Sequence, residues 1–97
     1  MARKNDFEPI EVYGSALKHG FSEREVRVAW KSALATGTVV RIRFDKQPPH
    51  YMGVGLVGNS KVEVIAASDG FTWHVFHADS PLTGGFKKEY RENGGIL

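Results

Sequence analysis

The 97-residue chain contains no cysteine, which excludes a disulfide scaffold and every thiolate zinc site. No apolar run approaches the roughly 20 residues of a membrane span. The opening Met1-Ala2-Arg3-Lys4-Asn5-Asp6 lacks the apolar core of a secretory signal, so no membrane and a cytoplasmic location are expected. Charge of one sign is also scarce. Thirteen Lys and Arg against eleven Asp and Glu leave a formal net charge of +2, too small to declare a nucleic-acid binder. Neither H-x-x-x-H nor H-E-x-x-H spacing occurs on a helix, and there is no G-x-S-x-G elbow, so no metal and no cofactor are expected. Gly53-Val54-Gly55-Leu56-Val57-Gly58 has dinucleotide-fingerprint spacing, but it lies in a strand-like stretch instead of opening a helix.

What is present is a change of period part-way along one domain, residues 1–97, with residues 1–7 and 92–97 read as tails. Pro9, then Ile10, Tyr13 and Leu17 at i, i+3, i+7, predict a first helix closed by Gly20. Ser22 and Glu25 form a capping box, and Phe21 and Val26 occupy the positions of a hydrophobic staple. Val26, Ala29, Trp30, Ala33 and Leu34 then make the apolar stripe of a second helix that ends at Gly37. Alternation follows. Val40, Ile42 and Phe44 share one strand face, and Val39, Arg41 and Arg43 share the other. His50–Val57 reads as a second strand, with Gly53 and Gly55 marking a bulge or a close backbone approach. Residues 61–67 and 71–78 read as the third and fourth strands, joined at Asp69-Gly70. Residues 83–91 read as a last helix using Phe86 and Tyr90. The expectation is an α+β fold, α-α-β-β-β-β-α, with a four-stranded antiparallel sheet covered by helices on one face.

Four histidines carry the candidate chemistry. His19 falls in the last turn of the first predicted helix, where an imidazolium suits the helix dipole. His50 follows two prolines and is either a base held at a sheet edge or an exposed loop residue. His74 and His77, at odd spacing, cannot share a face of a regular strand. His77 is either a hydrogen-bonded core histidine or a general acid or base. Arg41 and Arg43 are candidate phosphate contacts, and the rings of Tyr51, Trp73 and Tyr90 can stack on bases. RNA cleavage without metal needs little more: a base, an acid, and cations to stabilise the phosphorane.

Lys18-His19-Gly20-Phe21-Ser22 ahead of a helix, with Val75-Phe76-His77-Ala78 and a basic, aromatic tail at the far end, resembles the BrnT-like toxins of bacterial toxin–antitoxin pairs. The likeness runs from about Ile10 to Tyr90 and points to a branch common in actinobacteria. It implies a RelE-like ribonuclease fold, RNA cleavage that blocks translation, and neutralisation by an antitoxin protein encoded nearby, the pair binding operator DNA together. The resemblance carries over to Lys18 and His19 at the junction and to His77 in the last strand; joined to the reading of the other residues, it gives His77, His50 and Tyr90 as the expected catalytic set and Arg41, Arg43, Lys18 and Lys88 as the expected RNA contacts. BrnT proper carries arginines where this chain has His74 and Asp79, which removes phosphate-stabilising charge. The alternatives are a toxin-like binding module without catalysis, for a partner protein or nucleic acid, and an interaction domain whose aromatic cluster forms a dimer interface.

Overall fold

Helix α1 (Glu23–Thr36) starts and stops where its local sequence directs. The Ser22 hydroxyl accepts the Glu25 backbone N–H at 3.1 Å, while the Ser22 N–H donates to the Glu25 carboxylate at 2.9 Å. Both otherwise orphaned donors are thereby satisfied. Gly37 closes the helix at φ 72, a left-handed conformation that suits glycine. Val26, Ala29, Trp30 and Ala33 are completely buried, so the apolar stripe is the face laid on the sheet.

The computed structural model describes residues 8–97, and the tail expected over residues 1–7 lies outside the described residues. The sheet has five strands: β1 (Ile10–Val12), β2 (Val40–Ile42), β3 (His50–Val57), β4 (Ser60–Ser68) and β5 (Trp73–Asp79). Their spatial order is β1-β5-β4-β3-β2. Strands β2 to β5 pair antiparallel, whereas β1 runs parallel to β5. The protein is therefore α+β as expected, but its sheet is mixed and five-stranded instead of four-stranded and antiparallel.

The extra strand replaces the first predicted helix. Ile10 and Val12 lie opposite Trp73 and Val75, and the Tyr13 N–H donates to the Val75 carbonyl at 2.9 Å. A strand built on two β-branched residues beats a helix weakened by Gly14, because it satisfies the open edge of β5. Only a short 3₁₀ turn, Gly14–Ala16, remains helical there. His19 consequently does not sit at a helix C-terminus.

The second difference concerns layers. Helix α1 covers one face of the sheet, over Val62, Val64, Ala66, Trp73 and Val75. Helix α2 (Gly84–Glu92) covers the other, packing Phe86 and Tyr90 on Ile42, Met52 and Ile65. The helices thus lie on opposite faces, not on one. Central strand β4 is buried from Val62 to Ser68 because both its faces are covered. Gly53 and Gly55 mark a close approach: a Cβ on Gly55 would come within 2.6 Å of the Ala29 carbonyl carbon. At the C-terminus the Gly95 N–H donates to the Tyr90 carbonyl at 2.8 Å, so the chain closes over the Tyr90 ring, leaving Ile96 and Leu97 exposed. Among the described residues no helix is long and apolar enough to cross a membrane.

Candidate functional site

An irregularity in the β4–β5 ladder builds the site. Ile65 pairs with His77 and Ala66 with Val75, so Phe76 has no opposite residue. This β-bulge moves His77 off the α1 face, where Trp73 and Val75 point, onto the α2 face with Ile65. It also overturns the expectation that His74 and His77 lie on opposite faces. His74 lies opposite Ala67 and His77 opposite Ile65, so the two histidines share a face after all.

On that face His77 meets Glu63, which is only 2% exposed. The distance from His77 Nε2 to Glu63 Oε2 is 2.7 Å. The other carboxylate oxygen, Oε1, accepts the Thr83 backbone N–H at 2.6 Å and the Thr83 hydroxyl at 2.9 Å. Thr83 precedes α2, and its hydroxyl serves Glu63 instead of capping the helix. A buried carboxylate so fully satisfied is tolerable. Because an ionised carboxylate only accepts, His77 carries its proton on Nε2, which leaves Nδ1 as the basic atom of the neutral ring.

The segment after the 3₁₀ turn delivers the second imidazole. The His19 ring centre lies 5.8 Å from that of His77, edge to face, and His19 Nδ1 is 3.7 Å from Asp79 Oδ2. Lys18, Arg43, Glu63, His77 and Glu89 line one cleft of about 550 Å³, whose floor is formed by Met52, Ile65, Phe76 and Phe86. A larger depression of about 820 Å³ beside Pro48 and Pro49 carries Glu8 and Asp69 and, among the described residues, no cation, which suits a polyanion poorly.

No family model, no curated protein and no solved structure matches this chain. Its chemistry is therefore read from the cleft itself.

The structure sorts the residues assigned from sequence. His77 and Lys18 are in the cleft. Arg43 is there too, but its guanidinium is taken: Nε and one terminal nitrogen each donate to the Glu89 carboxylate at 3.1 Å. Arg41 does not share that side. The chain leaves the ladder after Ile42 and turns through Arg43 at φ 48, so the expected common face ends there. Arg41, opposite Tyr51, instead lays its guanidinium over Phe44, 4.9 Å from the ring centre. Lys88 is exposed on α2 and does not line the cleft. His50 opens β3 with its Nδ1–H donating to the Pro48 carbonyl at 2.8 Å, and its ring sits 5.4 Å from Phe76. Tyr90 is 2% exposed and its hydroxyl donates to the Thr38 carbonyl, so it is a core residue; burial raises its pKa. Trp73 is likewise buried, and Tyr51 packs edge to face against it.

Glu63 and His19 are the site residues missed by the sequence reading. The signal for Glu63 was a carboxylate embedded in the apolar run Val62-Glu63-Val64-Ile65, which would be costly in a buried strand without a partner. His19 stood in the motif but was placed on a helix that does not form.

His74 has a separate function at the β1 edge. Its Nε2 lies 2.9 Å from Asp69 Oδ2, and its Nδ1 lies 2.9 Å from the Tyr13 hydroxyl. The His74 hydrogen bond, aided by the Phe71 and Thr72 N–H groups, lowers the Asp69 pKa from 3.8 to about 2. A depressed carboxylate pKa gives stability that is present above 3.8 and lost as pH falls through about 2. Asp69→Asn is therefore expected to flatten the acid limb of stability between those values, read by urea melts at several pH values. An unchanged acid limb would show that the tie contributes nothing.

Proposed function

We propose that the cleft cleaves single-stranded RNA by acid–base chemistry and that the protein is a BrnT-like toxin with a RelE-like fold. The observation that carries this reading is the convergence of Lys18 and His19, from one end of the chain, on His77 held by buried Glu63, from the other. Lys18, His19 and His77 lie in the two segments on which the family resemblance rests. His77 Nδ1 takes the proton of the 2′-hydroxyl, whose oxygen attacks phosphorus. The 5′ oxygen leaves with a proton supplied by His19, which enters the reaction as the imidazolium, and Lys18 stabilises the charge that develops on the phosphorane. The products are a 2′,3′-cyclic phosphate and a 5′-hydroxyl. On the same reading the protein acts in the cytoplasm, and a nearby-encoded antitoxin neutralises it and joins it on operator DNA.

A second reading, a binding module without catalysis, draws support from the Arg43–Glu89 pair, which occupies the arginine fork of the cleft. One experiment separates them: incubate purified protein with a defined single-stranded RNA in the presence of chelator. Fragments ending in 2′,3′-cyclic phosphate support the nuclease. Intact RNA with folded protein, together with harmless expression, rejects it in favour of the binding module.

A further inference from the structure

The bulge that turns His77 into the cleft also places its neighbour there. In a regular strand, consecutive side chains point to opposite faces. Here Phe76 and His77 both line the cleft, and Phe76 packs against the α2-side core while Ile65 is the partner of His77. The bulge leaves the Phe76 carbonyl outside the paired ladder, and the Ser15 hydroxyl donates to it at 2.6 Å. The arrangement is thus tied down from a different part of the chain. Beside Phe76 stands His50, whose Nδ1–H is committed to the Pro48 carbonyl. That leaves Nε2 of the neutral ring as an acceptor with no partner among the described residues.

From this geometry we infer that Phe76 is the nucleobase platform of the cleft, and that the substrate enters as an unpaired strand with one base laid on the Phe76 ring. The inference rests on the ribonuclease reading for its substrate. A ring adjoining the acid–base histidine fixes the nucleoside whose 2′-hydroxyl His77 addresses. Stacking accepts any base face, so the platform tolerates all four bases. The rings expected from the sequence to stack, Tyr51, Trp73 and Tyr90, are committed to the core, so this duty falls to a residue that the strand period alone would have placed on the opposite face from its neighbour.

The test compares a short single-stranded RNA with 2-hydroxypropyl 4-nitrophenyl phosphate, which has the reacting hydroxyl and phosphodiester but no base. Phe76→Leu is expected to raise KM for RNA about tenfold, the scale of one base stack, and to affect the baseless ester several-fold less. Phe76→Trp is expected to restore the RNA KM. Equal losses on both substrates would mean that Phe76 only shapes His77, and an unchanged RNA KM would remove it from the site; either overturns the inference. A binding arm needs no variant and no catalysis: wild-type protein is titrated with 3′-AMP and with ribose 5-phosphate by NMR. Tighter binding of the nucleotide, with shifts at Phe76 and Met52, supports the platform even if no RNA is cleaved. Equal binding of the two, or of neither, overturns it.

Discussion

His77→Ala is expected to lower RNA cleavage by about a hundred- to ten-thousandfold, the usual contribution of a positioned general acid or base, with the fold intact. The side chain is one-quarter exposed at the cleft wall, so truncation leaves a solvated gap and not a core cavity. Its single hydrogen bond among the described residues runs to Glu63, which keeps both Thr83 donors when the ring is lost. Glu63 separates orientation from chemistry. Glu63→Gln preserves volume but puts an amide where the carboxylate receives either His77 Nε2–H or the Thr83 donors. It should cost up to about ten-thousandfold in kcat, by analogy with other carboxylates that orient a histidine, with KM nearly unchanged. Circular dichroism and RNA cleavage assays on purified variants check both. A wild-type cleavage rate in His77→Ala would remove this residue from the reaction.

Gly55→Ala is expected to be the most destabilising single methyl in the protein, by about 3 kcal/mol or more. Helix α1 rests directly on β3 at this point, and the added carbon would overlap the Ala29 backbone carbonyl, not a movable side-chain tip. Relief requires lifting α1 from the sheet, and with it Trp30, whose ring meets Trp73 edge to face at 5.0 Å. Gly53→Ala is the milder companion, since its new Cβ would meet the Ala33 Cβ at 2.8 Å. Gly14→Ala serves as the control, with nothing within 4 Å of the added carbon. Urea unfolding of the three variants should rank them in that order, and a Gly55→Ala midpoint equal to that of wild type would refute the close-approach argument.

Local rules carried much of the fold. Helix α1 was legible because its cap, its stripe and its terminating glycine all lie within one short window, where side chains three and four apart are neighbours. Strand β3 runs from His50 to Val57 as read, since Pro48-Pro49 and Gly58 punctuate it on both sides. The Asp69 turn was legible for the same reason, and the Asp69 carboxylate does accept the Phe71 and Thr72 N–H groups, each at 2.8 Å. Helix α2 also falls where Phe86 and Tyr90 placed it.

The site obeyed longer-range causes. Strand β1 exists because a parallel partner, β5, waits at the other end of the chain, and no window around Ile10 contains that information. One unpaired residue in β5 changed which face His77 uses and so put it on the side of His74, and a strict two-residue period cannot register it. Burial of Glu63 depends on β4 being central and covered on both sides, a property of strand order and not of composition. The sequence by itself determined helix α1, strand β3, the Asp69 turn and helix α2. Only the tertiary structure decided that His77 faces Glu63 and His19 and that Arg43 is held by Glu89, because those contacts are set by register, bulge and layer order between segments far apart in the chain.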